Sequence, residues 1–258
     1  MDCGAAADCG GWNKGLKQDK SLNIIVQGEF KMKPEMINGI IVPYNLSTKQ
    51  LIDRLHAAAD MSCFSVCCTA LSYKDDEEAY EALLPYLSDN DYHKRLYVFG
   101  VIFRMPYAIK LNDKLQEALL TDDIHFIIRA LEAYSSGKFC IHDEIIRACF
   151  LNNHEQIDAC YYACLQQLSP TQENLEFFKL LFNISNNISH RIALAEVITE
   201  RATQKTFYEL LDLFLDDSAE KIRYQAAKLA IRFCDTDALK KLSNDTDGHI
   251  RKLINKSL

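Results

Sequence analysis

Residues 216–233 read DDSAEKIRYQAAKLAIRF, and this stretch decides the fold. Two acidic residues open it, after which Ile222, Ala226, Leu229, Ala230 and Phe233 recur at helical spacing, so one face of a helix is apolar. Asp, Asn, Ser and Thr at such a start accept the backbone N–H bonds that a first helical turn leaves unpaired. The unit is therefore a polar turn at Asp217 and an apolar helix entered five residues later, with Arg223 beside the first apolar residue.

Working outward, the same unit recurs. Turn residues Asp60, Asn90, Asp123, Asn153, Asn187, Asp217 and Asp245 are separated by 30, 33, 30, 34, 30 and 28 residues. They open DMSCFSVCCTAL, NDYHKRLYVFGVIF, DIHFIIRALEAY, NHEQIDACYYACL, NISHRIALAEVI, the stretch already quoted, and DTDGHIRKLINKSL. Upstream of most turns lies another amphipathic run: LIDRLHAAA, EAYEALLPYL, KLQEALL, HDEIIRACFL, NLEFFKLLF and FYELLDLFL. A period near thirty residues carrying two helices cannot bury its apolar face alone, so neighbouring units must stack. Helix starts are expected after Ser47 in STKQLIDRL and after Ser169, where Pro170 takes the first helical position; Pro106 is expected to end the helix after IFRM.

The Asp or Asn turn followed by Ile-Arg, clearest in DDSAEKIRYQAAKLAIR and NDTDGHIRKLI, resembles the HEAT repeat, especially the short HEAT-like units of bacterial proteins and bilin lyases. The resemblance spans roughly residues 46–258 and implies a right-handed α-solenoid of about seven helix pairs. It also implies bonds between turn Asp and second-helix Arg of neighbouring repeats, the matching positions being Asp123 with Arg129, Asp217 with Arg223 and Asp245 with Arg251. The unit at Asn153 departs, offering Asn153 and Asp158 where the acid and the Arg are expected, so no regular ladder is expected across the middle.

Residues 1–45 do not fit the repeat. Two strand-like runs, LNIIVQ (22–27) and GIIVPYN (39–45), flank a Lys/Met-rich connector and can form a hairpin that caps the first pair, as the end of an array requires. The alternative is a strand added to a partner. The expected organisation is a cap over 1–45 and a repeat domain over 46–258.

Composition agrees with helix. The chain of 258 residues is 48% hydrophobic, enough for one continuous core, and its 9 Gly and 5 Pro are too few for a turn-rich sandwich or barrel. The formal charge of −7 argues against a surface made mainly to neutralise phosphate. That charge is uneven: residues 61–215 carry 22 acidic against 13 basic side chains, whereas residues 216–258 carry seven against nine. With no long apolar run and no basic start followed by one, a cytoplasmic location is expected.

Candidate chemistry was weighed against simpler roles. Cys3 and Cys9 with Cys63 or His56 are able to bind a soft metal, but their spacing matches no common zinc pattern, so neither metal nor cofactor is expected. Cys63 with Cys67, and Cys160 with Cys164, share helix faces and read as core thiols, as do Cys68, Cys149 and Cys234. His93, His125, His154, His190 and His249 all follow turns, at differing offsets, and read as solvated helix-start residues rather than a shared site. Asp75, Asp76, Glu77 and Glu78, and Asp143 with Glu144, open first helices, where capping explains them. The G-x-S-x-G, H-E-x-x-H, P-loop and dinucleotide signatures are absent.

The expected function is a non-enzymatic protein-interaction scaffold, with a basic or polar partner held on the concave face at Glu155, Asp158, Glu196 and Glu200. The alternative is a nucleic-acid-binding or repair protein, which the resemblance allows because HEAT-like proteins include alkylpurine DNA glycosylases; Lys240, Lys241, Arg251 and Lys252 would then meet phosphate, against the net charge. The only Trp, Trp12, lies outside the array. A lyase-like protein cradling a small ligand is a third class.

Overall fold

The computed structural model describes residues 33–257, so the expectations for Cys3, Cys9, Trp12 and the run 22–27 lie outside the described residues. The fold is all-α, with 69% of the described residues helical. Helices follow one another as α1 (Thr48–His56), α2 (Met61–Ser72), α3 (Glu77–Leu83), α4 (Tyr92–Ile102), α5 (Asn112–Leu119), α6 (Ile124–Ser135) and α7 (Asp143–Asn153). A 3₁₀ segment, Ala159–Gln167, comes next, and then α8 (Gln172–Ile184), α9 (Ile188–Arg201), α10 (Phe207–Leu215), α11 (Glu220–Phe233), α12 (Thr236–Leu242) and α13 (Gly248–Asn255). Shorter 3₁₀ turns over Leu84–Ser88 and Pro106–Leu111 join α3 to α4 and α4 to α5.

The second helix of each pair packs on the next in unbroken order: α2 on α4, α4 on α6, α6 on the 3₁₀ segment, that segment on α9, α9 on α11, and α11 on α13. Apolar residues at helical spacing make this possible. Ile222, Ala226, Leu229 and Ala230 of α11 are all fully buried, while Phe233 is half-buried. Large side chains such as Phe64, Phe150, Tyr162, Phe178, Phe207 and Phe214 fill the layer between first and second helices.

Most helix starts use the residue types the sequence offers, some shifted by a residue or two. Asp60, Asp123 and Asn187 cap α2, α6 and α9, each accepting a backbone N–H, and Ser47 forms a capping box with Gln50. The caps of α4 and α13 are Asp91 and Asp247, one and two residues past the turn residues Asn90 and Asp245, while α11 starts at Ala219 with no side-chain cap, correcting Asp217 as its start. Thr171, not Ser169, caps α8: its hydroxyl accepts from Asn174 N, and Pro170 precedes the helix. Asn153 caps nothing ahead of it; it ends α7, and its Nδ2 donates to Cys149 O at 3.0 Å. The expected α-helix over 153–165 is accordingly the 3₁₀ segment. No side-chain bond caps it, and Cys160, Tyr161, Tyr162 and Cys164 are weak helix formers.

Asp and Arg do bond between one turn and the next, but with other partners than the matched positions Asp123 with Arg129, Asp217 with Arg223 and Asp245 with Arg251, which are corrected. Arg223 donates to Asp245 of the following turn through Nε (2.7 Å) and Nη2 (2.9 Å), and Arg191 bonds Asp217 in the same way. Tyr92 Oη stands in for the Arg at α4, donating to Asp123 Oδ1 at 3.2 Å. Towards its own turn Arg223 reaches only carbonyls, Nη1 to Asp217 O at 2.9 Å, and Arg251 does likewise at Thr246 O. Arg129 turns instead to Glu132 at 2.8 Å.

Residues 40–41 form a hairpin whose partner strand lies within the Lys/Met-rich connector, not in the run 22–27. β1 (Met36–Ile37) pairs antiparallel with β2 (Ile40–Ile41) around Asn38 and Gly39, both at positive φ (50° and 81°), the geometry that an Asn-Gly turn favours. The hairpin packs on α2. Just past that helix, Lys74 Nζ donates to Tyr44 O (3.0 Å) and Leu46 O (2.8 Å), and buried Val42 joins the core.

Candidate interaction surface

The residues that carry chemistry lie along the row of second helices. On α6, Glu132 accepts from Arg129 Nη1 at 2.8 Å and from Tyr161 Oη of the 3₁₀ segment at 3.2 Å. Burial and the neighbouring Glu132 carboxylate push the Tyr161 phenol upward. On α9, Glu196 and Glu200 are four residues apart and share one face. Partial burial raises the pKa of both from the ordinary glutamate value, and Lys228 of α11 only partly offsets it. Glu196 is half-buried and Glu200 is exposed, and on Glu200 the upward push opposes Lys228, Arg201 and a bond from Gln166.

The four acidic residues expected to act together are not brought together. Glu155 is exposed in the turn after α7. Asp158 stands at the opposite end of α9 from Glu200, beside His190 and His154. There His190 is buried and stacked on Tyr162, with ring centroids 4.9 Å apart, and its pKa is lowered by burial and then by His154. The Glu196–Glu200 pair is thus the part of the set that forms a surface feature, while Asp158 belongs to a corner at the other end of the helix.

The basic set is also divided. Lys241 pairs with Asp216 at 2.6 Å. Arg251 is folded over its own turn carbonyls, and Lys240 is exposed near the end of α12. Lys252 faces an open groove of ≈ 380 Å³ that it lines with Tyr224, His249, Leu253 and Lys256. Lys228 Nζ lies 5.4 Å from the Tyr224 ring centroid, at the junction of this groove with Glu196 and Glu200.

Asp76 caps α3 and accepts from Thr48 Oγ1 at 2.5 Å, and Asp143 Oδ2 accepts from Ser169 N and Asn174 Nδ2. Cys67, Cys68, Cys149 and Cys164 are buried, but Cys63 is half-buried and Cys160 and Cys234 are exposed, which corrects the reading of those three as core. His93, His125 and His249 are exposed, His154 is half-buried, and among the described residues no group of His, Cys, Asp or Glu is arranged to hold a metal.

Sequence reasoning missed Glu132, Tyr161, Tyr224, Lys228 and Leu253. The signal was present in part, since Lys221, Tyr224 and Lys228 recur three and four residues apart opposite the apolar positions of the opening stretch.

No protein-family model and no curated protein sequence matches the chain. A crystal structure of an engineered protein aligns over 82% of this chain and 94% of its own, with 16% identity and a TM-score of 0.31, a likeness too slight to carry an argument. No described helix is long and apolar enough to cross a membrane.

Proposed function

We propose that the chain is a HEAT-like α-solenoid of about seven helix pairs acting as a non-enzymatic scaffold, which holds a basic segment of a partner protein along its concave row of second helices. The observation that carries this reading is the Glu196–Glu200 pair: two carboxylates on one helix face, one half-buried and one exposed, both shifted upward by partial desolvation that Lys228 only partly offsets. A cationic side chain placed between them would restore the favourable field that burial removes. Glu132 and Tyr161 extend the polar row toward α6, while Glu155 and Asp158 fall outside it. The unbroken packing of second helices and the bonds from one turn to the next support the solenoid.

Affinity capture of the tagged chain from its own host tests the placement. The double variant Glu196→Lys with Glu200→Lys should lose its protein partner while keeping its circular dichroism and melting temperature; undiminished capture by that variant overturns the reading. Nucleic-acid binding gains little support, because the residues expected to carry it are divided among an ion pair, turn carbonyls and a groove.

A further inference from the structure

We propose that the groove between α11 and α13 is a second docking site, which takes a short acidic peptide segment carrying one apolar side chain; this rests on the scaffold reading and specifies the partner's other half. Tyr224 and Leu253 form an apolar floor, and His249, Lys252 and Lys256 stand around it. The groove is open to solvent, with a volume of ≈ 380 Å³. The two lysines of the lining, Lys252 and Lys256, enter no ion pair among the described residues. Their positive field is therefore open to an external carboxylate.

The acidic pair next door limits what can sit here. Lys228 is at once beside Tyr224 and close enough to Glu196 and Glu200 to lower the pKa of both. A continuous polyanion running along the row would leave the lysines and meet two carboxylates, in a chain of net charge −7. A short acidic segment ends where the carboxylates begin, and a basic segment of the same partner can continue over Glu196 and Glu200. The apolar floor favours a segment that brings an apolar side chain to Tyr224 and Leu253. The row thus reads its partner as acidic at one end and basic beyond it.

The test is fluorescence anisotropy on the full chain with three labelled probes. They are a short glutamate peptide with a central leucine, the same peptide with glutamine for glutamate, and a single-stranded oligonucleotide of matching charge. The acidic peptide should bind, the glutamine peptide should not, and the oligonucleotide should bind more weakly. Lys252→Glu with Lys256→Glu should weaken the acidic peptide at least about tenfold, through like-charge repulsion, whereas Glu196→Lys with Glu200→Lys should not weaken it. Lys252→Gln with Lys256→Gln gives a milder loss in the same direction and guards against misfolding. No binding of the acidic peptide, equal binding of the glutamine peptide, or tighter oligonucleotide binding lost in the same variant would each overturn the proposal. The two readings fail separately: loss of partner capture on reversing the glutamates, with no acidic-peptide binding, leaves the scaffold and removes the groove. The opposite pattern removes the glutamate placement.

Discussion

At the scale of single residues, the fold depends on arginines that tie one turn to the next. Arg223 and Asp245 expose only 15% and 7% of their side chains, and the bond from Arg223 is the largest factor lowering the Asp245 pKa. Arg129 and Glu132 make a pair of similar length with 46% and 21% exposed, so water already screens it. Arg223→Ala is expected to cost about 2–3 kcal/mol because it strands a mostly buried carboxylate. Arg129→Ala should cost less than about 1 kcal/mol. Thermal melts at neutral pH should separate the two variants by roughly 4–8 °C, and equal melts would refute the ranking. The sign with pH follows from the lowered pKa: Asp245 contributes stability above its unfolded value and loses it as pH falls through the folded one, so the Arg223→Ala deficit should shrink in acid. The sequence showed Arg223 and its apolar neighbours clearly. It did not show the partner, because a spacing of six residues points to Arg223's own turn, where only carbonyls are within reach.

At the scale of elements, the exception is instructive. Residues 153–165 carry apolar side chains at intervals of three and four, and over nine residues a 3₁₀ period and an α period fit them equally well. What separates the two is local: Asp158 makes no capping bond and four of the next six residues, Cys160, Tyr161, Tyr162 and Cys164, hold a helix weakly. The segment stays in place because Tyr162 is fully buried between Phe150 and His190, and because Arg201 of α9 donates to the carbonyls of Gln166, Leu168 and Ser169. A 3₁₀ segment has poorer hydrogen bonds than an α-helix, so it should open first. Cys164 reports on this, being as inaccessible as Cys149 of α7 and Cys68 of α2, with all three thiols raised by burial. In native buffer a thiol reagent should label Cys164 faster than either, as read by peptide mass spectrometry over time. Labelling of Cys164 as slow as that of Cys68 would place the segment among the stable elements. The Asn-Gly hairpin is the converse case, since its turn signal was written in the sequence at Asn38 and Gly39 and the longer strand-like runs drew attention from it.

At the scale of the molecule, a net charge of −7 is an average over an acidic middle, residues 61–215, and a mildly basic stretch, residues 216–258. Glu196 and Glu200 were legible as acidic residues on a second helix, but their loss of solvent depends on α11 lying beside α9, which spacing alone does not give. That loss has a cost for the free protein. A carboxylate whose folded pKa is raised is disfavoured when ionised, so the pair detracts from stability at neutral pH and the penalty is relieved as pH falls through the folded pKa. A site kept for a cationic partner should show this opposition between stability and binding. Glu196→Gln with Glu200→Gln is therefore expected to melt at the same temperature as the parent chain or higher, while losing the captured partner. On the parent chain, capture should weaken as pH falls while an ordinary glutamate is still ionised, because these two protonate first. A glutamine variant that melts lower would show that Lys228 outweighs burial and that the pair is a stabilising network, with no unmet charge left for a partner to satisfy.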